Sequence, residues 1–291
     1  MNKVAGRIAV GAGGIYSEIY ASLASNQSLF PSLPETTIRL RTLLGQSNCD
    51  IPAAAKLLQS DPGLSAFILR VANSAGYLSR VPPKDLESAL RRIGLSAASR
   101  LATTFFVRSS FRSPDPVINK VLLQAYREST TVAVISHVLA GRVRGIDASK
   151  AMLAGLLQDI GLPPILIRLR ERKDIFDDID RRRDAVDKLA PLVGVLILKQ
   201  WKFDEELIEV ARSRKDWWRE GGKKADLSDI VLIARLHSMI GTPQFKEAPA
   251  FQELPAFGKL PVGELTPDNS IRMLDEAREE IAGLTQMLQG V

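Results

Sequence analysis

The chain has 291 residues, of which 45% are apolar, 6% aromatic and 25% charged, the profile expected of a soluble, largely helical globular protein with a sizeable core. Its formal charge of +6 is modest for this length and mixed in sign along the chain, which argues against nucleic acid as the main partner. Cys49 is the single cysteine and there are two histidines, so an intramolecular disulfide and a cysteine-rich zinc site are excluded, and a reducing, cytoplasmic setting is expected.

Residues 1–15 are glycine-rich and read as loose. Lys3 to Ala12 pairs two cations with a short apolar run broken by glycines, too brief for a membrane span and too poor for a signal peptide. No later window reaches membrane-spanning length free of charge, so no membrane insertion is expected. Helical composition begins at Tyr16, and Phe30-Pro31-Ser32-Leu33-Pro34 makes a rigid entry to a helix with Ile38, Leu40, Leu43 and Leu44 on its apolar side, ending near Gly45. Ile51 to Ser60 reads as a short helix.

Asp61-Pro62-Gly63-Leu64 is a clear helix start. The aspartate can accept free amide protons, and proline at the first helical position has no N–H to leave unpaired. The helix buries Leu64, Phe67, Ile68 and Val71 and runs out at Asn73-Ser74-Ala75-Gly76, where Asn73 is expected to bond neighbouring backbone. Leu86, Leu90 and Ile93 mark the next helix, closed by Gly94, and Ser96 is a cap candidate for the one carrying Leu101, Phe105 and Phe106.

Asp115-Pro116 repeats the cap-plus-proline device and opens a long helix to about Arg144, with Ile118, Val121, Leu122, Ala125, Ser129, Val132, Ser136 and Leu139 on its inner stripe. Glu128 and His137 fall at the stripe's edges, and both His137 and His237 are expected to be partly exposed helix residues. Asp147 caps the helix that delivers Gln158 and Asp159, and Gly161-Leu162-Pro163-Pro164 breaks it. The charged run from Ile165 to Ala185 reads as a solvated face or a charged hairpin. Pro191 is placed in the first turn of a helix through Trp201, and Asp204 caps the following one. Leu227 to Ile240 is helical, Gly241 to Pro267 a proline-rich excursion, and Asn269 or Ser270 caps a final amphipathic helix through Leu288. No strand and no fixed-period repeat is found. The fold class is therefore all-α, as two packed helical subdomains: an extension with a short helix over 1–27, an N-terminal subdomain over 28–112, and a C-terminal one over 113–291.

Several of these runs carry a family resemblance. Asp61-Pro62-Gly63-Leu64 leading to Leu69-Arg70-Val71-Ala72-Asn73-Ser74-Ala75, then Ala89-Leu90-Arg91-Arg92-Ile93-Gly94-Leu95, resemble the HDOD family, the HD-related output domains of bacterial signalling proteins. Tyr126-Arg127-Glu128-Ser129 and Ala154-Gly155-Leu156-Leu157-Gln158-Asp159-Ile160-Gly161 extend the likeness, which spans roughly residues 28 to 288. The resemblance implies an HD-like C-terminal subdomain, with Asp61, Pro62, Asn73, Ser74 and Gly94 as structural signature positions. It also implies that Glu128, Gln158 and Ala190 stand where histidines are frequent, that Arg214 and Lys215 replace a common His-His pair, and that Arg235 replaces a small acid or amide.

Only Asp159 is left of that metal set, and a metal needs several imidazoles or carboxylates converging. Two readings of the vestigial pocket follow. Either Arg214, Lys215 or Arg235 supplies fixed positive charge against Asp159 and Glu128, or Asp159 caps a neighbouring helix N-terminus. The expected function is a non-catalytic signalling module without cofactor, and the resemblance implies that it acts through other signalling proteins in motility, biofilm or gene-expression outputs. No receiver, cyclase or helix-turn-helix segment is recognised in these residues, so those partners are expected on other chains. The leucine-bearing last helix and the paired tryptophans are compatible with a homodimer.

A metal-dependent nucleotide phosphohydrolase is the first alternative, though it requires ligands this chain lacks. A cyclic-dinucleotide or nucleic-acid binder is the second. It would use the basic and aromatic segment of Arg212, Arg214, Trp217, Trp218 and Arg219, with Lys223 and Lys224 beyond; the plainer alternative makes the tryptophans packing anchors and the cations a solvated rim.

Overall fold

The computed structural model describes residues 10–24, 33–44, 50–73, 82–260 and 266–289. They are helical throughout, with no strand among the described residues. A first group of helices comprises α2 (Glu35–Leu44), α3 (Ile51–Leu58), α4 (Pro62–Ala72), α5 (Leu86–Ile93) and α6 (Leu95–Ser110). A second comprises α7 (Pro116–Ala140), α8 (Ala148–Leu157), α9 (Leu162–Leu169), the one-turn α10 (Lys173–Phe176), α11 (Ile179–Gln200), α12 (Glu205–Arg212) and α13 (Leu227–Ser238). One contiguous apolar core runs through both groups, and α6 packs on α8 where they meet.

Aspartate caps set the helix starts. Asp61 accepts the amide of Leu64 at 2.9 Å, Asp115 those of Val117 and Ile118, Asp147 that of Lys150 and Asp204 that of Leu207, each satisfying an amide that has no partner within its helix. Gly94 ends α5 at φ 81°, a left-handed conformation that favours glycine. The same residue leads directly into α6, so Ser96 lies inside that helix and caps nothing, contrary to the sequence reading. Asn73 closes α4 by donating its side-chain amide to the Leu69 carbonyl at 2.9 Å. Ser74 and Cys49 lie outside the described residues.

Other expectations are corrected by packing. Helix α1 (Val10–Ala24) starts within the glycine-rich stretch read as loose, because Ile15 and Ile19 are fully buried where α1 packs on α9 and α11 of the second group. Ile38 is half-exposed on α2, and Thr37 takes the buried place beside Leu40. Pro191 lies well inside α11, which is capped by Asp178 far upstream; its missing N–H leaves the Asp187 carbonyl without the usual helical donor. The two prolines after Gly161 open α9 instead of only ending α8. The C-terminal segment is two helices, α15 (Pro267–Glu276) and α16 (Arg278–Gln289), with Thr266 as the cap in place of Asn269 or Ser270. Between α13 and α15 the described residues of the excursion form two 3-10 turns and the one-turn α14 (Pro255–Gly258).

Polar bridges hold the two groups in register. Arg100 on α6 donates to Asp147 at 2.9 Å and to Ser149 at 2.8 Å, at the start of α8. Arg41 on α2 donates to the Trp201 and Lys202 carbonyls, both at 2.7 Å, and lies 4.3 Å over the Phe203 ring. The run Ala148–Leu169 has the length and apolarity of a membrane-crossing helix, but 89% of its most apolar window is buried inside the protein, where it forms the centre of the second group.

Candidate functional site

Two glycines bring the site together. A Cβ on Gly155 would come within 2.7 Å of the Ala133 Cα, and one on Gly161 within 2.4 Å of the Ala190 carbonyl oxygen, so their absence lets α8 press on α7 and the α8–α9 turn press on α11. This fixes Gln158 and Asp159, at the end of α8, between α7, α11, α13 and the segment after α12. Both side chains are buried, at 1% and 3% exposure.

Both oxygens of Asp159 accept hydrogen bonds. One carboxylate oxygen accepts Arg214 Nε at 2.5 Å. The other accepts Arg235 Nη2 at 2.6 Å and the Ser129 hydroxyl at 3.0 Å. Arg235 also donates its Nε to the Gln158 side-chain oxygen at 2.9 Å, so its guanidinium forks across the neutral amide and the carboxylate. Gln158 in turn donates to the Gly155 carbonyl at 2.9 Å. Asp187 on α11 completes the cluster, accepting Arg214 Nη1 at 2.8 Å and Lys215 Nζ at 2.9 and 3.0 Å.

The electrostatics follow from this geometry. Burial pushes the Asp159 carboxyl up, but the Arg235 and Arg214 charges outweigh it and hold it below the ordinary carboxylate range. For Asp187, burial likewise acts upward and is overcome by Arg214 and Lys215. Burial and the adjacent Arg214 charge lower the Lys215 ammonium. Lys215 sits at φ +60°, left-handed backbone that residues with a Cβ adopt at a cost.

Above the cluster opens a cleft of about 780 Å³. Asp159, Asp187, Arg214, Lys215 and Arg235 lie on it together with apolar wall residues such as Val132, Leu162 and Leu166, and Trp217 stands at its edge.

The structure thus brings Gln158, Asp159, Arg214, Lys215 and Arg235 together as one site. Of the two readings for Asp159, it makes the ion pairs with Arg214 and Arg235, and α9, the helix that follows, has no side-chain cap. Glu128 departs from expectation: it is exposed, accepts the Gln124 side-chain amide at 2.9 Å and pairs with no cation among the described residues, although it faces the same cleft. Ala190 is buried and contributes a backbone contact to Gly161, not a functional group. Ser129 and Asp187 are site residues that the sequence reading did not select; the inward position of Ser129 on its helical stripe is the signal that could have drawn attention to it.

A divalent cation, the group an HD-like site would hold, does not fit these donors. Both Asp159 oxygens already take guanidinium N–H groups and the Gln158 oxygen takes a third. No group of three or more His, Cys, Asp and Glu residues suited to a metal occurs among the described residues.

The basic and aromatic segment does not form one cationic face. Arg212 pairs with Glu205 and Glu209, and Arg219 with Glu209, Asp226 and Asp229. Arg214 is buried in the cluster, Trp217 borders the cleft, and Trp218, Lys223 and Lys224 are exposed. His237, expected to be partly exposed, is buried: it contacts the Ile233 carbonyl and the Ser270 hydroxyl at 2.8 Å each. His137 is partly exposed, with Nδ1 3.1 Å from the Ala148 carbonyl.

Comparison with known proteins extends the picture. A structure from Shewanella amazonensis SB2B, provisionally described as a metal-dependent phosphohydrolase, superposes with a TM-score of 0.78 at 24% identity, covering 96% of this chain and all of that one. An HDOD domain protein of unknown function from Geobacter sulfurreducens superposes with a TM-score of 0.67 at 19% identity, covering 94% and 97%. A provisionally described signal transduction protein from Marinobacter aquaeolei VT8 gives 0.61 at 17%, covering 98% of this chain and 68% of that one. At these identities the likeness is one of fold. An uncharacterized Treponema pallidum protein is 20% identical over 205 residues, 67% of this chain, which spans 39% of that relative's length. The model of the HDOD domain matches residues 30–217, well over half of the chain, and the protein therefore belongs to the HDOD family.

Proposed function

We propose that the protein is a non-catalytic HDOD signalling module whose HD-type pocket has exchanged its metal for fixed protein cations, and which acts by contacting other signalling proteins. The observation that carries this reading is the Arg235 fork on Gln158 and Asp159, with Arg214 on the other Asp159 oxygen. A carboxylate that would otherwise anchor a cation already has its charge balanced, and the residue beside it is an amide, a poor metal ligand. The fold shared with the Marinobacter signal transduction protein supports a signalling role.

The test is to load the purified protein with manganese and assay phosphodiester cleavage on an activated diester. No turnover above background is expected. Turnover abolished by Asp159→Ala would establish the hydrolase instead. The partners are to be identified by capture from native cells, and a homodimer by light scattering across a concentration series.

A further inference from the structure

The floor of the cleft carries three cations, Arg214, Lys215 and Arg235, against two carboxylates, Asp159 and Asp187. Every oxygen of both carboxylates accepts at least one of these bonds, and the cations keep donors to spare. Arg214 spends Nε and Nη1, and Arg235 spends Nε and Nη2. Arg214 Nη2 and Arg235 Nη1 have no hydrogen-bond acceptor among the described residues, and Lys215 keeps one of its three ammonium protons after binding both Asp187 oxygens.

The remaining charged groups of the cleft leave this excess in place. Glu247 pairs with Arg183, Glu128 accepts from Gln124, and Arg182, a further cation, donates to the Phe176 carbonyl. A surplus positive charge held by side chains as little as 5% and 11% exposed is costly unless an anion compensates it. Here the three residues that carry the spare donors line an open cleft with apolar walls.

We propose that this cleft is an anion-sensing site that takes a small molecule through an oxyanion head group, phosphate or carboxylate, with the head on Arg214, Lys215 and Arg235 and an apolar body along Val132, Leu162 and Leu166. The proposal rests on the non-metal reading of the pocket. Planar guanidinium groups match oxyanion geometry, and the site binds no cation because its own surplus charge is positive. The left-handed backbone of Lys215 adds to this, since strain of that kind concentrates at ligand-binding positions.

Calorimetric titration of the full chain with inorganic phosphate, and separately with acetate, tests it. Saturable binding of at least one probe is expected, weakening with added salt, reduced at least tenfold by Lys215→Met and unchanged by the surface control Lys223→Met. Preference between the two probes identifies the head group. Lys215→Gln serves as a second variant, with folding of each checked by circular dichroism. Binding of neither probe, or binding that Lys215→Met leaves intact or that Lys223→Met weakens equally, overturns the proposal. Manganese titrated alone separates the two levels: manganese bound at this cleft would sink the non-metal reading and the proposal with it, whereas no binding of manganese, phosphate or acetate overturns the anion site alone.

Discussion

Burial pushes the Asp159 carboxyl towards its neutral form, and its two guanidinium partners outweigh that push and favour the carboxylate. The partners depend on it in turn: without it, Arg214 retains Asp187, but Arg235 has only the neutral Gln158 oxygen. Asp159→Asn is therefore expected to cost about 3–5 kcal/mol in denaturant unfolding at neutral pH, the range for removing one member of a buried pair. The pH dependence carries a definite sign. The folded-state carboxyl is held below the ordinary value of about 4, so its contribution is fully present above that pH and is lost as pH falls through the depressed folded value. The stability gap between the wild type and Asp159→Asn should be constant from pH 5 to 7 and narrow below about pH 4. A gap independent of pH down to 3 would mean that the charge of Asp159 is not what the arginines hold.

At the scale of helices, the site depends on how closely α8 and the α8–α9 turn approach their neighbours. At Gly161 the obstacle to a side chain is backbone, the Ala190 carbonyl at 2.4 Å and the Gly194 nitrogen at 2.9 Å, which cannot swing aside as a flexible side chain would. Gly161→Ala should destabilise the fold by about 1–3 kcal/mol, as overpacking does. Gly258→Ala, where a Cβ meets nothing within 4 Å, should change the melting temperature little.

Much of this level was legible in the sequence because it is local. Asp61, Asp115, Asp147 and Asp204 each reach an amide two or three residues along the chain, and spacing alone announces that. The missed features depend on distant packing. The glycines around Gly14 disfavour a helix by propensity, and burial of Ile15 and Ile19 against α9 and α11 overrides them. Asp187 lies just past the charged run of Ile165 to Ala185, and nothing in its surroundings along the chain singles it out until Arg214 and Lys215 arrive from beyond α12. The roles of Arg214 and Arg235 could be anticipated only because a lone buried aspartate needs a partner, whereas the place of Glu128 at the edge of its helical stripe already hinted at the outward turn that keeps it from the cluster.

Across the whole molecule, α15 and α16 form a strap that binds the two helical groups: α15 packs on α7, and α16 on both α7 and α4. Its polar anchors are the buried Tyr126 hydroxyl, which donates to the Leu288 carbonyl at 3.0 Å, and His237 on α13. The His237 Nδ1 lies 2.8 Å from the Ile233 carbonyl, so it carries a proton, and in the neutral ring Nε2 must accept from the Ser270 hydroxyl. That hydroxyl has one proton and a second acceptor, the Pro267 carbonyl at 2.6 Å, so the neutral ring ties the strap down imperfectly. An imidazolium would donate its Nε2–H to the Ser270 oxygen and leave that hydroxyl's own proton for the Pro267 carbonyl, but burial opposes the charge and lowers the His237 pKa. The unfolded chain therefore takes up a proton near pH 6.5 while the folded one still resists it, and stability should fall as pH drops from 7 to 5. His237→Gln, which carries no titrating group, should flatten this part of the profile. Hydrogen exchange should show the loss first in α15 and α16, ahead of α7 and α8, because the strap is the segment that the imidazole holds. If His237→Gln follows the same acid profile as the wild type, the strap is held by its apolar contacts alone and the histidine is a passive core residue.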